Sequence, residues 1–229
     1  MRIDILTLFP EMEDNILSES IIGRARANNK IEINCINIRD FSKDKHRRVD
    51  DYPYGGGMGM VMQPQPIYDA YKSIVDSCET KPTVIYMSPQ GKVFNQEIAK
   101  ELAGYEHIIL LCGHYEGVDE RIIEEIVDFE LSIGDYVLTG GELPAAVVAD
   151  CVARLVPGVL SDDMSFIDES HYNNLLEYPQ YTRPPEFMGR KVPEVLLSGH
   201  HKNIEAWRKE QSIKRTKTKR PDLIGGKNE

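Results

Sequence analysis

Residues 2–9 alternate apolar and polar side chains closely enough to predict a strand, which Pro10 ends. The stretch 11–28 predicts one helix, and residues 31–38 a second strand. A long loop carrying Asp50 to Gly59 follows, and then Ile67, Ala70, Tyr71, Ile74, Val75 and Cys78 recur at the spacing of an amphipathic helix. From there short apolar runs alternate with helical repeats: strands at 83–87, 107–112 and 129–133, with helices near 95–103 and 118–128 between them. Val118, Ile122, Ile123, Ile126 and Val127 mark the buried stripe of the second of these helices. Such alternation predicts an α/β fold with a mostly parallel sheet.

The helix predicted at 145–156 is apolar nearly all round, with proline at its first turn in Pro144. Only Asp150 and Arg154 interrupt it, four residues apart on one face, which suits an intrahelical ion pair. A helix of this kind is buried on several sides, by its own core or by a second subunit. Pro157-Gly158 ends it, and residues 161–173 lack a firm period and read as a linker. Beyond lies a small second domain, mostly helical, whose helix from about Gly199 carries Ile204 and Trp207.

Each of the three central strands runs into a short loop bearing glycine. The loops hold Tyr86-Met87-Ser88-Pro89-Gln90-Gly91, then Gly113-His114-Tyr115-Glu116-Gly117, then Ser132-Ile133-Gly134-Asp135-Tyr136-Val137-Leu138-Thr139-Gly140-Gly141 before Pro144. Ligands of parallel sheets collect at the strands' carboxyl ends, and glycine lets backbone approach them closely. The three loops therefore predict one pocket seen from three sides.

The net charge of −10 argues on its face against a nucleic-acid partner, but its distribution does not. Between Arg208 and Arg220 stand seven basic residues and one acid, and Lys43, Lys45, Arg47 and Arg48 form a second basic cluster. A local basic surface on an acidic protein is an electrostatic footprint for phosphate. Four widely spaced cysteines with no Cys-x-x-Cys pair fit free thiols in a reducing cytoplasm. No apolar run approaches the roughly twenty residues needed to span a bilayer.

Common nucleotide motifs are absent. The first strand ends in Leu8-Phe9-Pro10 without a glycine-rich turn, and Gly91-Lys92 lacks both the upstream glycine and the hydroxyl of a phosphate-binding loop. His200-His201 has no third ligand at zinc spacing, and Ser88 lacks the context of a hydrolase nucleophile. Gly55, Gly56, Gly57 and Gly59 crowd one loop, which suits either plain turns or a backbone that must lie close to a base or a partner.

Taken together, Asp50-Asp51-Tyr52-Pro53-Tyr54-Gly55-Gly56-Gly57-Met58-Gly59-Met60, Gly113 through Arg121, Ser132 through Pro144, Tyr181-Thr182-Arg183-Pro184 and Val195-Leu196-Leu197-Ser198-Gly199-His200-His201 resemble the bacterial tRNA (guanine-N1)-methyltransferases of the SPOUT class. The resemblance covers essentially the whole chain. It implies a sheet threaded through a deep trefoil knot over residues 1–160, a linker over 161–173, a helical tRNA-binding domain over 174–229 and a cytoplasmic homodimer. It implies S-adenosylmethionine held by Tyr86, Met87, Ser88, Pro89, Gly113, Tyr115, Glu116, Ser132, Ile133, Gly134, Asp135, Tyr136, Val137, Leu138, Gly140, Gly141 and Pro144. A divalent ion such as magnesium enters the expectation as well, although no ligand cluster announces it.

In similar enzymes a linker carboxylate before a serine is the base that takes the guanine N1 proton, and an arginine of the long helix assists it. Arg154 matches that arginine. The carboxylate departs from the family's usual aspartate: ungapped register to Ser170 assigns Glu169, with Asp168 one residue earlier as the alternative. Tyr172, Tyr178 and Tyr181 are candidate stacking platforms for RNA. Gly55, Gly56, Gly57, Gly59, Ser170, Arg183, Lys214 and Arg215 are expected to meet tRNA, with Lys217 and Lys219 beside them. The rival readings are a SPOUT enzyme acting on another RNA site and a non-catalytic RNA-binding module.

Overall fold

Alternation in the central strands sends successive side chains to opposite faces of one sheet, and helices cover both. The computed structural model describes residues 1–160 and 169–224, and the chain divides into two compact units, Met1–Asp163 and Met164–Glu229. The first unit runs β1 (Arg2–Thr7), α1 (Pro10–Leu17), α2 (Ser20–Ala27), β2 (Glu32–Asn37) and a 3-10 turn (Ile38–Phe41). A two-residue pair, β3 (Asp50–Asp51) and β4 (Val61–Met62), flanks the glycine loop. Then come α3 (Pro64–Val75), β5 (Thr83–Val93), α4 (Gln96–Ala103), β6 (His107–Cys112), α5 (Glu120–Ile126), β7 (Phe129–Ser132) and α6 (Glu142–Ala153).

The five long strands form one parallel sheet in the order β2-β1-β6-β5-β7. Ile3, Ile5, Ile85, Met87, Ile108 and Leu110 bury one face against Leu17, Ile22, Leu102, Val148 and Val152 of α1, α2, α4 and α6. Leu6, Val84, Tyr86, Ile109 and Leu111 bury the other against Ile67, Ala70, Ile74, Ile122 and Ile126 of α3 and α5. The α/β fold and its parallel sheet are thus as the periodicity predicts.

Two predicted elements change. The single helix expected over 11–28 is two, because Ser20 takes a left-handed φ of +54° and the chain turns there. Gly23 then lies directly on the Ser18 carbonyl, where no side chain fits. The strand expected to stop at 87 continues to Val93. Leu131 of β7 pairs with both Met87 and Lys92, so residues 88–91 leave the sheet as an excursion and rejoin it. A Cβ on Gly91 would sit 2.5 Å from the Leu131 amide nitrogen, which is why the excursion closes on glycine.

In the second unit, β8 (Glu186–Phe187) and β9 (Arg190–Lys191) form a hairpin around Met188 and Gly189, both at positive φ as a tight hairpin turn requires. Two helices follow, α7 (Glu194–Leu197) and α8 (His201–Lys219). The segment 175–177 is tied along α8. The Leu176 amide donates to Thr216 Oγ1 at 2.9 Å, and the Ser212 hydroxyl donates to the Leu176 carbonyl at 2.5 Å.

Candidate active site

Because β6, β5 and β7 are neighbours, their carboxyl-end loops stand side by side. Residues 86–90, 113–117, 131–134 and 136–141, with Pro144, line one cavity of about 260 Å³ in the first unit. Every residue expected to hold the methyl donor lines it except Asp135, which is exposed on the third loop. The geometry adds Gln90, His114, Gly117, Leu131 and Thr139, neighbours of expected residues.

Two glycines let the loops touch. The Gly141 amide donates to the Gly113 carbonyl at 2.8 Å, and a Cβ on Gly141 would lie 2.8 Å from Cys112 Cα. A Cβ on Gly113 would lie 2.7 Å from the Tyr86 hydroxyl. Burial, helped by the charge of Glu130, pushes the Tyr86 phenol up to about 12, so it stays protonated at neutral pH. The third loop turns on Ser132, whose hydroxyl accepts from the Gly134 amide at 3.1 Å, while Gly134 takes φ +149°.

The middle loop is braced from outside the sheet. Tyr115 adopts φ +60° within a turn in which the Gly117 amide donates to the His114 carbonyl at 3.1 Å. The Glu116 amide donates to the Met60 carbonyl at 3.0 Å, and Gly59, at φ +88°, lies so close to the Glu116 side chain that a Cβ there would have to push the carboxylate aside. The glycine loop thus abuts the cavity wall at Gly59. Gly55, Gly56 and Gly57 also have positive φ; the first two face open space, and a Cβ on Gly57 would only touch the Pro53 ring at 3.9 Å. Tyr54 and Met58 beside them are almost fully exposed.

Beneath the third loop lies a polar group that sequence reading overlooked. Glu142, the first residue of α6, accepts from the Thr7 hydroxyl at 3.1 Å, and its other oxygen stands 3.9 Å from His114 Nδ1. Glu13 of α1 is fully buried beside it, and neither of its oxygens has a hydrogen-bond partner. Burial first, and the charge of Glu142 second, push the Glu13 carboxyl up to about 8. One signal was available: Glu13 shares a helical face with the buried Leu17 four residues on.

The residues expected to act on the guanine are distributed differently. Arg154 caps the far end of α6, its amide donating to the Asp150 carbonyl at 3.1 Å, and it is not among the cavity residues. Glu169 belongs to the second unit, where it lines a hollow with Tyr178, Glu205, Arg208 and Lys209. Asp168 lies outside the described residues. The Ser170 hydroxyl accepts from the Glu177 amide at 3.0 Å. Arg208 stacks over the Tyr178 ring at 4.8 Å, and the Tyr181 and Trp207 rings are 6.3 Å apart. Arg183 is exposed ahead of Pro184. On α8, Lys214, Lys217 and Lys219 are exposed, whereas half-buried Arg215 donates to the Glu177 carbonyl at 3.4 Å. Among the described residues no group of three His, Cys, Asp or Glu side chains is arranged to hold a metal ion. No helix of the described residues is long and apolar enough to cross a membrane.

The sequence profile of the family described as tRNA (Guanine-1)-methyltransferase TrmD matches residues 1–226. The chain belongs to this family. A protein of Ruminiclostridium cellulolyticum named tRNA (guanine-N(1)-)-methyltransferase is 69% identical over 224 residues, covering 98% of this chain and 96% of the relative. Proteins of the same name from Clostridioides difficile and Alkaliphilus oremlandii are 59% identical over 230 residues and 58% identical over 229. The first spans 100% of both chains, the second 98% of this chain and 92% of its own. The tRNA (guanine-N1)-methyltransferase family is therefore the frame in which the three loops and the second unit are to be read.

Proposed function

We propose that this chain moves a methyl group from S-adenosylmethionine to N1 of the guanosine immediately 3′ of the tRNA anticodon, as a homodimer in the cytoplasm. The observation that carries the reading is the convergence of three glycine-bearing loops on one cavity, in a chain that belongs to this family from end to end. The cavity's chemistry suits the donor. Its lining has the carboxylate of Glu116 and no lysine or arginine, a field that favours a cationic ligand, with Ile133, Leu138 and Pro144 as apolar surface. When bound, S-adenosylmethionine supplies a methyl group on positively charged sulfur.

Guanine N1 carries a proton at neutral pH. A base must take it as the new bond to nitrogen forms, and a cation near O6 offsets the charge that develops there. Glu169 is the proposed base and Arg154 the proposed cation. Ten residues of α6, about 15 Å of helix, separate Pro144 at the cavity from Arg154. A second copy of the chain would bridge that distance by bringing its own Arg154 to this cavity. The apolar side chains that α1 and α6 leave exposed where they pack together, Met12, Ile16, Leu143 and Val147, support the dimer. The proposed knot is supported by the return of the chain after β7. Gly140 bridges His114, and α6 then packs beneath β1 and β6. Exposed Lys214, Lys217 and Lys219 support α8 as a surface for the RNA backbone.

The test is direct: incubate the protein with methyl-labelled S-adenosylmethionine and unmodified tRNA, then map the label. Methyl on another nucleotide, or donor binding without transfer, would overturn the reading. A second expectation concerns the loops. Gly141→Val drives its side chain into the Cys112–Gly113 backbone, so it should part the two loops rather than simply fill the cavity. Calorimetry is expected to find at least a 100-fold loss of S-adenosylmethionine affinity, about 2.7 kcal/mol, in a variant that circular dichroism reports as folded. Undiminished affinity would mean that the donor binds elsewhere.

A further inference from the structure

A cavity without a lysine or arginine and with one carboxylate suits a cationic donor but not the phosphates that arrive with every nucleotide. Some cation near its mouth must offset them. Several basic residues of the first unit are already spent on local acids: Lys43 pairs with Asp69 at 3.0 Å, Arg47 with Asp40 at 3.1 Å, Arg48 with Asp44 at 3.0 Å and Arg121 with Asp119 at 2.7 Å.

Arg39 differs. Its Nη2 donates to the Tyr115 hydroxyl, on the cavity wall, at 3.3 Å, and among the described residues no carboxylate pairs with it. The side chain is half-buried and rises from a fixed base. Its amide donates to Asn37 Oδ1 at 3.0 Å, and Ile38 beside it is fully buried in the core. A hydroxyl dipole is not a counter-ion. The guanidinium has five N–H donors in a planar fork that matches a phosphate bidentately, and the bond to Tyr115 leaves most of that fork available.

We propose that Arg39 holds the backbone phosphate of the nucleotide whose base is presented to the donor at the mouth of the cavity, and so seats that base. This rests on the function proposed above and adds a substrate contact to it. The shared chemistry is an anion beside Tyr115, and the carboxylate of S-adenosylmethionine is the other anion at hand, so both ligands are measured.

The experiment compares wild type, Arg39→Gln, Arg39→Lys and Tyr115→Phe in the full-length protein. It reads tRNA affinity across a salt series, S-adenosylmethionine affinity, and the single-turnover methylation rate. Arg39→Gln is expected to weaken tRNA binding about 10–100-fold and to reduce the salt slope by about 0.7–0.9, the contribution of one phosphate, without altering donor affinity. Arg39→Lys should keep the slope while recovering only part of the affinity, since a point charge cannot reproduce the fork. Tyr115→Phe should keep the wild-type slope. An unchanged slope and tRNA affinity in Arg39→Gln would overturn the proposal. So would a loss of donor affinity that Tyr115→Phe reproduces, because Arg39 would then merely brace the loop or meet the donor. The two readings fail separately: a wild-type protein that methylates no guanine N1 defeats the function, whereas the slope reports the phosphate contact by itself.

Discussion

Replacing Glu169 with glutamine is expected to slow methyl transfer roughly 10²–10⁴-fold, the usual scale for losing a general base and about 3–5 kcal/mol of barrier. Glutamine keeps the size and much of the hydrogen bonding of glutamate but cannot accept the N1 proton. S-adenosylmethionine affinity should hardly change, because Glu169 is not among the residues lining the three-loop cavity. Glu169→Asp should retain part of the rate, since it restores a carboxylate on a shorter stem. Asp168→Asn should be far milder. Single-turnover rates at saturating tRNA separate these cases from weakened binding. If Asp168→Asn proves the more damaging change, the register to Ser170 is off by one and Asp168 is the base.

Glu13→Met is expected to stabilise the protein, and by an amount that grows with pH. The Glu13 carboxyl sits near 8 in the folded state, raised by burial and then by Glu142, against an ordinary value of 4.5. Between those values the folded protein holds a proton that the unfolded chain has released. Stability therefore falls as pH rises through the window, with a limiting slope of about 1.4 kcal/mol per pH unit. Below 4.5 both states are protonated and the slope vanishes. Methionine is unbranched and adapts to the space while removing the ionisable group and its two unpaired oxygens. Thermal unfolding at pH 5, 6, 7 and 8 should show the gap between variant and wild type widening steadily. A constant gap would mean that Glu13 titrates at an ordinary value, and a less stable variant at pH 8 would mean that its oxygens have partners in solution.

Much of this follows from local pattern. The strands β1, β6 and β7 fall close to where alternation predicts them, because a buried parallel strand needs apolar side chains on both faces and the run length sets its extent. The three glycine loops are legible for a related reason: they follow such runs, and only glycine allows Gly141 to lie against Cys112 and Gly113. The family itself is legible in the string from Gly134 to Pro144.

Pattern could not supply what depends on elements meeting across the chain. The division of α1 from α2 turns on the backbone of Ser20 and on Gly23 meeting a carbonyl, neither of which has a period. Likewise the basic cluster at 43–48 reads as a phosphate surface until Asp40, Asp44 and Asp69 are found paired with three of its members. Composition counts charges but cannot say which are already partnered. Arg39 reaches Tyr115 across 76 positions of sequence, and Thr7 reaches Glu142 across 135. By itself the sequence determined most of the long secondary elements, the loops and the family, since these rest on short-range sterics and burial. Only the tertiary structure decided how the three predicted loops touch one another, which cations remain for a substrate, and that a carboxylic acid is buried beneath the site. Those outcomes depend on sheet order, and sheet order brings together residues that local preference cannot relate.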